Sequence, residues 1–187
     1  MAKRVGVLSL QGDFEAHQGA LERAGAEAVQ VRTADDLRQV QGLVIPGGES
    51  STMLRLLHAA NLMQPLQEFG ETKPIYGSCA GAILLATDVI DPEQESLKLM
   101  DIGVRRNGYG RQLDSRVVKI PMKSGEMEAV FIRAPIIVRV GKDAKVLARY
   151  NNDPILVEQG RHLVSTFHPE LTKDTRVHQM FLDKISS

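Results

Sequence analysis

The hydrophobic residues of this chain follow two spacings that alternate along its first half. Continuous apolar runs rich in β-branched residues predict strands buried on both faces of a sheet. Between the runs, apolar residues recur at helical spacing, with Asp13 able to cap the first helix and Gly25 able to end it. This alternation predicts an α/β protein of three layers, α/β/α, around a mostly parallel sheet. The predicted strands are residues 4–10, 28–31 and 42–45, and the predicted helices are residues 14–24, 34–39 and 51–60.

The second half of the chain has a different pattern. From residue 102 to residue 164, short β-branched runs are separated by Gly, Asp, Asn and Pro, which predicts an antiparallel or mixed extension of the sheet. Residues 161–167 predict a final strand, and residues 174–185 predict a helix that packs on the sheet. The chain has 187 residues without repeats or low-complexity stretches, so we expect one domain over residues 1–187.

Composition narrows the functional classes. The chain has 23 basic and 23 acidic residues, and its formal net charge of zero gives no reason to expect nucleic acid or an anionic membrane as a partner. No apolar stretch approaches the roughly 20 residues that a membrane helix needs. The single cysteine cannot form an internal disulfide, and the first residues lead directly into a strand-like run. Both features favour a reducing, cytoplasmic location.

Residues 73–86 combine a strand, a tight turn and a helix around that cysteine. The turn reads GSCAG, and Cys79 lies at its apex. A residue at such an apex has a strained backbone and a side chain exposed at the carboxyl edge of the sheet. The helix that follows directs its free N–H groups and positive dipole end at the sulfur, which favours a thiolate. The pattern indicates a nucleophile, while the turn alone also suits a small buried core cysteine.

A second loop, PGGESS at residues 46–51, follows another predicted strand and is expected at the same edge of the sheet. Backbone N–H groups of Gly47 and Gly48 can point outward there and form an oxyanion hole. On their own, the two glycines equally suit an ordinary strand-to-helix turn whose hydroxyl residues cap the next helix. Neither a dinucleotide-binding glycine spacing nor a P-loop lysine accompanies them, so they do not predict a phosphate site.

His168 is the one histidine of the sequence at the carboxyl end of a predicted strand. Pro169 is expected to keep the backbone extended, which can set His168 and Glu170 on one side of the chain. Glu170 would then accept one imidazole N–H and leave the other nitrogen for Cys79. The other histidines are expected elsewhere: His17 and His178 on surface helices, His58 on the helix at 51–60, and His162 at the start of a strand.

Residues 105–111, RRNGYGR, form a polar segment rich in glycine and arginine. A solvated loop is the simpler interpretation, whereas an arginine of this segment at the site could hold a substrate carboxylate. Metal ligation needs a cluster of His, Cys or carboxylate residues, and the set that the sequence offers is already assigned to catalysis. We therefore expect neither a cofactor nor a metal.

Together these motifs resemble the class I glutamine amidotransferases, and more specifically the glutaminase-subunit family of pyridoxal 5′-phosphate synthase. The resemblance rests on VGVLSLQGDFEAH, PGGESSTM, GSCAG, RNGYGRQLDS, FIRAP and STFHPEL, which extend over residues 5–171. It implies a class I glutamine amidotransferase-like, flavodoxin-like fold. It also implies that Cys79, His168 and Glu170 form a triad that hydrolyses L-glutamine to L-glutamate and ammonia through a cysteine thioester.

The resemblance implies further roles around the triad. The backbone N–H groups of Ala80 and of the glycine loop would form the oxyanion hole, and Gln11 would couple that loop to a partner. The guanidinium group of Arg106 would hold the α-carboxylate of L-glutamine. The implied contacts to L-glutamine are Gly47, Gly48, Glu49, Arg106, Ile132 and Arg133.

The implied partner is a synthase subunit of the PdxS or SNZ type, a (β/α)8 barrel that would consume the ammonia in vitamin B6 synthesis. The residues support a separate acceptor, because one domain leaves no second site and ammonia released to water would be protonated. Three alternatives stay open at this point. They are a free-standing cysteine hydrolase such as a γ-glutamyl hydrolase, a regulatory subunit without turnover, and an α/β domain with a structural cysteine.

Overall fold

The computed structural model describes residues 2–107 and 116–185, which form strands and helices in alternation through the first half of the chain. The strands are β1 (Arg4–Leu8), β2 (Glu27–Val31), β3 (Gly42–Ile45), β4 (Ile75–Ser78), β5 (Ala86–Ile90), β6 (Met100–Arg105), β7 (Arg116–Ile120), β8 (Met127–Phe131), β9 (Ile136–Val140), β10 (Lys145–Tyr150), β11 (Asp153–Gln159) and β12 (His162–Ser165). The helices are α1 (Phe14–Arg23), α2 (Ala34–Leu37), α3 (Ser50–Ala59), α4 (Met63–Thr72), α5 (Ala80–Leu85) and α6 (Arg176–Leu182), with a 3₁₀ turn at Pro169–Leu171.

A seven-stranded sheet in the order β10-β11-β12-β4-β3-β1-β2 is the centre of the fold. The neighbouring strands from β12 to β2 are parallel, and β10 and β11 continue the sheet in antiparallel fashion. All residues of β3, β4 and β12 are buried, as expected for parallel strands covered on both faces. The α/β class, the mostly parallel sheet and its antiparallel part are therefore confirmed.

Two hydrophobic clusters cover the two faces of this sheet and give the three predicted layers. One cluster packs α3, α4 and α5 against it through Met53, Leu66 and Ile83. The other packs α1 and α6 through Leu21 and Phe181. Alternation along a strand assigns its residues to the two faces, since Leu43 and Ile45 belong to the first cluster and Val44 to the second.

The strands predicted over residues 102–164 as an antiparallel or mixed extension do not all join the main sheet. Only β10 and β11 extend the main sheet, whereas β5, β6 and β9 form a separate three-stranded sheet and β7 pairs with β8. Strand patterns specify which residues lie in strands but not which strands pair, because pairing depends on long-range packing. None of the helices in residues 2–107 and 116–185 has the length and hydropathy of a membrane span.

The parallel register aligns the ends of three neighbouring strands. Ile45 pairs with Gly77 between β3 and β4, and Ser165 pairs with Ser78 between β12 and β4. The segments that follow β3, β4 and β12 therefore leave the sheet at one edge, where functional groups of open α/β sheets gather.

Candidate active site

Cys79 lies at the apex of the turn between β4 and α5, as the sequence predicts. Its backbone has φ 54° and ψ −103°, a region that residues other than glycine rarely adopt. Small neighbours allow the turn, because a Cβ at Gly77 would lie 2.4 Å from the carbonyl oxygen of Gly81, and one at Gly81 would lie 2.2 Å from that of Ile45. Strain of this kind costs about 1–3 kcal/mol and is typical of functional sites.

His168 follows β12 and lies against Glu170 at the same edge. Nδ1 of His168 is 2.7 Å from Oε2 of Glu170, and both side chains are buried. The expectation of an extended chain through Pro169 is wrong, because Pro169–Leu171 forms a 3₁₀ turn. Proline suits the first position of such a turn, where its fixed φ is already helical and its missing N–H is not needed. The turn still brings the two side chains together.

Asp13 is a residue of the site that the sequence analysis missed. We predicted it as a helix cap, but its side chain makes no capping hydrogen bond to α1. Instead, Oδ2 of Asp13 lies 3.5 Å from Nδ1 of His168. A second carboxylate thus flanks the imidazole nitrogen that Glu170 also faces. The signal available in the sequence was an Asp directly after a strand, at the edge where Cys79 and His168 were expected.

The acidic groups around His168 favour its charged form. Burial opposes that charge, but hydrogen bonds with Asp13, Cys79 and Glu170 outweigh burial and raise the pKa of the imidazole. Burial also raises the pKa of the Glu170 carboxyl. For Asp13, burial acts to raise the pKa, but its interactions with His168 and Glu170 outweigh burial and lower it overall. The site therefore stabilises an imidazolium, which is the partner that a thiolate nucleophile needs.

His17 and His178 lie on helices α1 and α6, which we expected at the surface, but their side chains are directed inward. Both side chains are fully buried, and Nδ1 of His17 lies 3.0 Å from Nε2 of His178. The inward faces of α1 and α6 cover the same side of the sheet, so the two imidazoles meet beneath it. The spacing of Asp13 and His17, four residues apart, places both on one face of α1 and was a usable signal.

The glycine loop after β3 packs directly against His168. A Cβ on Gly47 would lie 2.5 Å from Cε1 of His168, so a side chain at this position would displace the imidazole. Gly48 has φ 144°, which favours glycine, and a Cβ there would lie 2.5 Å from Oε1 of Gln11. The same Gln11 oxygen accepts the backbone N–H of Glu49 at 3.2 Å. Gln11 thus contacts the loop whose N–H groups are the predicted oxyanion donors.

Glu49 caps α3, a role that we had assigned to the hydroxyl residues after it. Its carboxylate accepts the backbone N–H groups of Ser51 and Thr52. Burial acts to raise the pKa of Glu49, but hydrogen bonds from these two residues lower it to about 2. A carboxylate caps this helix well because it accepts two N–H groups and faces the positive end of the helix dipole. Glu49 is therefore an anion at neutral pH.

Arg106 lies opposite this anion. Its Nη2 atom is 3.5 Å from Oε1 of Glu49, and its side chain is only 15% exposed. Ile132 lies close to Cys79, with its carbonyl oxygen 3.8 Å from Sγ. Arg133 follows Ile132 with φ 46°. The remainder of the predicted RNGYGRQLDS loop, residues 108–115, lies outside the described residues.

Comparison with known proteins now decides the family. The sequence profile of the SNO glutamine amidotransferase family matches residues 7–187. The chain belongs to this family. Among curated proteins, it is 58% identical to the pyridoxal 5′-phosphate synthase subunit PdxT of Solibacter usitatus, with 98% of this chain and all of that protein covered. It is 53% identical to the PdxT subunit of Koribacter versatilis, with 97% and 95% covered.

Solved structures agree with the SNO glutamine amidotransferase assignment. A crystal structure of a glutamine amidotransferase superposes with a TM-score of 0.90 at 42% sequence identity, covering 96% of this chain and 97% of the other. The structure of PurLQS from Thermotoga maritima superposes with a TM-score of 0.75 at 19% identity, covering 98% and 99%, and supports the fold alone. The predicted class I glutamine amidotransferase-like fold is confirmed.

Within residues 2–107 and 116–185 of this SNO-family chain, one group of side chains has the composition of a metal site. Asp13, His17 and Glu170 each offer a ligand atom, and these atoms lie within 4.8 Å of one another. Among the residues described, Oδ1 of Asp13, Nε2 of His17 and Oε1 of Glu170 are buried without a hydrogen-bond partner. We had expected no ligand cluster beyond the predicted catalytic set, but this group combines Asp13 and His17 with Glu170.

Proposed function

We propose that this chain hydrolyses L-glutamine to L-glutamate and ammonia and supplies the ammonia to the synthase that makes pyridoxal 5′-phosphate. The observation that carries the proposal is the arrangement of Cys79, His168 and Glu170 at one sheet edge. Cys79 occupies the strained apex, and His168 is hydrogen bonded to a buried carboxylate at 2.7 Å. The PdxT relatives, named as subunits of pyridoxal 5′-phosphate synthase, supply the pathway.

The residues support a two-stage acyl transfer. The Cys79 thiolate attacks the side-chain amide carbon of glutamine, and a tetrahedral intermediate forms. The His168 imidazolium then gives its proton to the amide nitrogen, the C–N bond breaks, and ammonia leaves with a γ-glutamyl thioester on the sulfur. In the second stage, His168 takes a proton from water as the water attacks the thioester. Glutamate leaves, and the Cys79 thiolate and the His168 imidazolium are restored.

Backbone donors would stabilise the oxyanion of both stages. Ala80 is the first residue of α5, so its N–H has no acceptor within that helix and is available next to the sulfur. A second donor would come from the Gly47–Gly48 loop, which packs on His168. Removing one such donor in other enzymes slows turnover by about 10²–10³-fold.

The zwitterionic end of glutamine needs one cationic and one anionic partner. Arg106 and Glu49 supply this pair, because their charged atoms lie 3.5 Å apart beside the glycine loop. We assign the α-carboxylate to Arg106, whose guanidinium can bind it through two hydrogen bonds, and the α-ammonium to Glu49. Ile132 and Arg133 would complete the contacts on the other side of Cys79.

Ammonia set free in water would be protonated and lost as a nucleophile, so the acceptor must dock directly on this site. We propose a synthase subunit of (β/α)8-barrel form as that acceptor. Gln11 lies against the oxyanion loop and is suited to transmit docking to the loop geometry. We further propose that residues 1–187 act as one glutaminase unit in the cytoplasm, where the Cys79 thiol stays reduced.

The test is glutamate release from L-glutamine by the purified chain, with and without the synthase subunit. We expect strong activation by the partner and a loss of at least about a thousandfold in Cys79→Ala. Ser96→Ala is the matched control, because it also removes one side-chain atom from a small buried residue, on the β5–β6 connection. Full activity without the partner would indicate a free-standing hydrolase, and no activity in either condition would indicate a regulatory subunit.

A further inference from the structure

The catalytic scheme leaves two completely buried histidines, which face each other, without a role. His17 on α1 and His178 on α6 are both fully buried and face each other through Nδ1 and Nε2. Tyr76 packs edge-on against both rings, with centroid distances of 6.0 Å and 5.7 Å, and so restricts their planes. Burial of an imidazole is costly unless its nitrogens are hydrogen bonded. The second nitrogen of His17 therefore requires a partner.

That second nitrogen faces the catalytic carboxylate. Nε2 of His17 lies 3.5 Å from Oε1 of Glu170, and among the described residues neither atom has a hydrogen-bond partner. The other oxygen of the carboxylate, Oε2, is the one that accepts the N–H of His168. We infer that His17 is a positioning residue of the glutaminase: its Nε2–H donates to Oε1 and fixes the plane of the Glu170 carboxylate. Closing the gap to a hydrogen bond takes about 0.5 Å.

The hydrogen positions of the pair are mutually consistent. If His178 donates its Nε2–H to Nδ1 of His17, then His17 carries its own proton on Nε2, directed at Glu170. Burial lowers the pKa of His17 to about 4 and the pKa of His178 well below its ordinary value, so both rings are neutral at neutral pH. His17 thus acts through hydrogen bonding and orientation rather than through charge.

The charged and polar groups around His17 are consistent with its role in orienting the Glu170 carboxylate. Asp13, which precedes α1, interacts with it through charge, and His168 adds an opposing charge from the end of β12. The hydroxyl of Tyr76 on β4 is hydrogen bonded to Ser165 at 2.6 Å. A hydrogen bond from His17 to Glu170 matters because a carboxylate that can rotate orients its histidine poorly. Loss of a hydrogen bond that orients a functional side chain commonly lowers activity by about 10–100-fold.

The experiment uses the sole cysteine as a reporter. Alkylation of Cys79 by iodoacetamide, followed from pH 5 to pH 10 by intact mass, measures how well His168 supports the thiolate and requires no glutamine turnover. We expect His17→Leu to slow alkylation at pH 7 about tenfold and to move the midpoint of the profile upward by about one pH unit. His17→Gln should stay within about threefold, because its amide N–H reaches the position of Nε2.

His162→Leu is the matched control. His162 is also buried and doubly hydrogen bonded, to the N–H of Ile75 and the carbonyl oxygen of Gly70, but it lies at the start of β12 rather than at its carboxyl end. Equal slowing in this variant would overturn the proposal, since general loosening would explain it. If His17→Leu does not fold, His17→Gln and His17→Asn decide, because the shorter amide reaches only Nδ1 and should slow alkylation.

Three further results refute the role of His17. The first is an alkylation profile of His17→Leu equal to that of the wild-type protein, and the second is a profile of His17→Gln as poor as that of His17→Leu. The third is a change in the profile of the wild-type protein when EDTA is added. The last would assign Asp13, His17 and Glu170 to a cation instead. A second readout is glutamine hydrolysis in the presence of the synthase subunit, and only this readout rests on the proposed function. There, His17→Leu should lower kcat about tenfold and leave KM for glutamine within about twofold. Failure of the proposed function would leave the alkylation result intact.

Discussion

Gly47→Ala places one methyl group between the glycine loop after β3 and His168, the proposed catalytic histidine. The new Cβ would lie 2.5 Å from Cε1 and 3.2 Å from Nδ1 of His168, whereas ordinary contacts begin at about 3.4 Å. The imidazole must therefore move by about 1 Å to reach an ordinary contact distance. The groups around it are buried and closely packed, so they leave little free space for this movement. The backbone N–H of His168 donates to the carbonyl oxygen of Val130 and fixes the main chain, so displacement of the ring strains its hydrogen bond with Glu170.

The two effects of this methyl group differ in size. A misplacement of about 1 Å can cost roughly 10²-fold in rate, so we expect kcat for glutamine hydrolysis to fall by about a hundredfold. Overpacking of a well-packed site typically costs about 1–3 kcal/mol in free energy of unfolding. The loss of activity should thus greatly exceed what a small unfolded fraction could cause.

Glutamate release in the presence of the synthase subunit and urea unfolding measure the two quantities. Gly25→Ala is the control: Gly25 has φ 96° and no heavy atom within 4 Å of an added Cβ, so this variant carries backbone strain without a clash. We expect Gly25→Ala to lose about 1 kcal/mol of stability and to keep kcat. A kcat of Gly47→Ala within twofold of the wild type would refute the inferred contact between the loop and His168.

Two further predictions concern stability. Gly19→Ala, within α1, should raise the free energy of unfolding by about 0.5–1 kcal/mol in urea titrations, because the added Cβ meets only the mobile end of Arg23 at 3.2 Å; a loss would mean that Arg23 cannot give way. For His162, burial lowers the pKa to about 4 from the ordinary 6.5, so the unfolded chain binds the proton first on acidification and stability is lost as pH falls from 6.5 to 4. Between pH 7 and pH 5 the free energy of unfolding should fall by about 2 kcal/mol through His162 alone. In His162→Gln, the difference in unfolding free energy between these two pH values should be smaller by about 2 kcal/mol. The same pH dependence in the variant and the wild-type protein would contradict the lowered pKa.

The site has an unusual balance of charge that bears on these variants. Asp13 and Glu170 both face the imidazole of His168, and the structure places no second cation among the described residues in contact with them. The imidazolium therefore compensates two acidic groups at once. A variant that moves His168, as we expect of Gly47→Ala, changes the surroundings of both carboxyl groups as well as those of Cys79.

Several features of the fold followed from local sequence. The apolar run at β3 was predicted with its observed bounds, and the elbow around Cys79 was predicted from a single turn motif. Both signals are local, because buried strands need continuous apolar residues and a tight strand-to-helix turn needs small neighbours such as Gly77 and Gly81. The apolar side chains of a buried strand, and the missing side chains of the two glycines, affect only residues close to them in sequence.

Other features depend on partners that are distant in sequence. The burial of His17 and His178 arises because α1 and α6, 161 residues apart at these positions, cover the same face of the sheet. The helical pattern shows which face of α1 is apolar but not which polar side chains another helix will cover. The two smaller sheets, β5-β6-β9 and β7-β8, have the same origin, since strand pairing is decided by long-range packing.

By itself, the sequence determined the α/β class, the turn that holds Cys79, and the placement of His168 and Glu170 at the end of a strand. These follow from periodicity, turn chemistry and the rule that parallel strands present their carboxyl ends at one edge. Only the tertiary structure decided that Asp13 flanks His168 and that His17 faces the remaining oxygen of Glu170. Those contacts join a loop, two helices and a strand end, and no local pattern specifies distances between elements that meet only on folding.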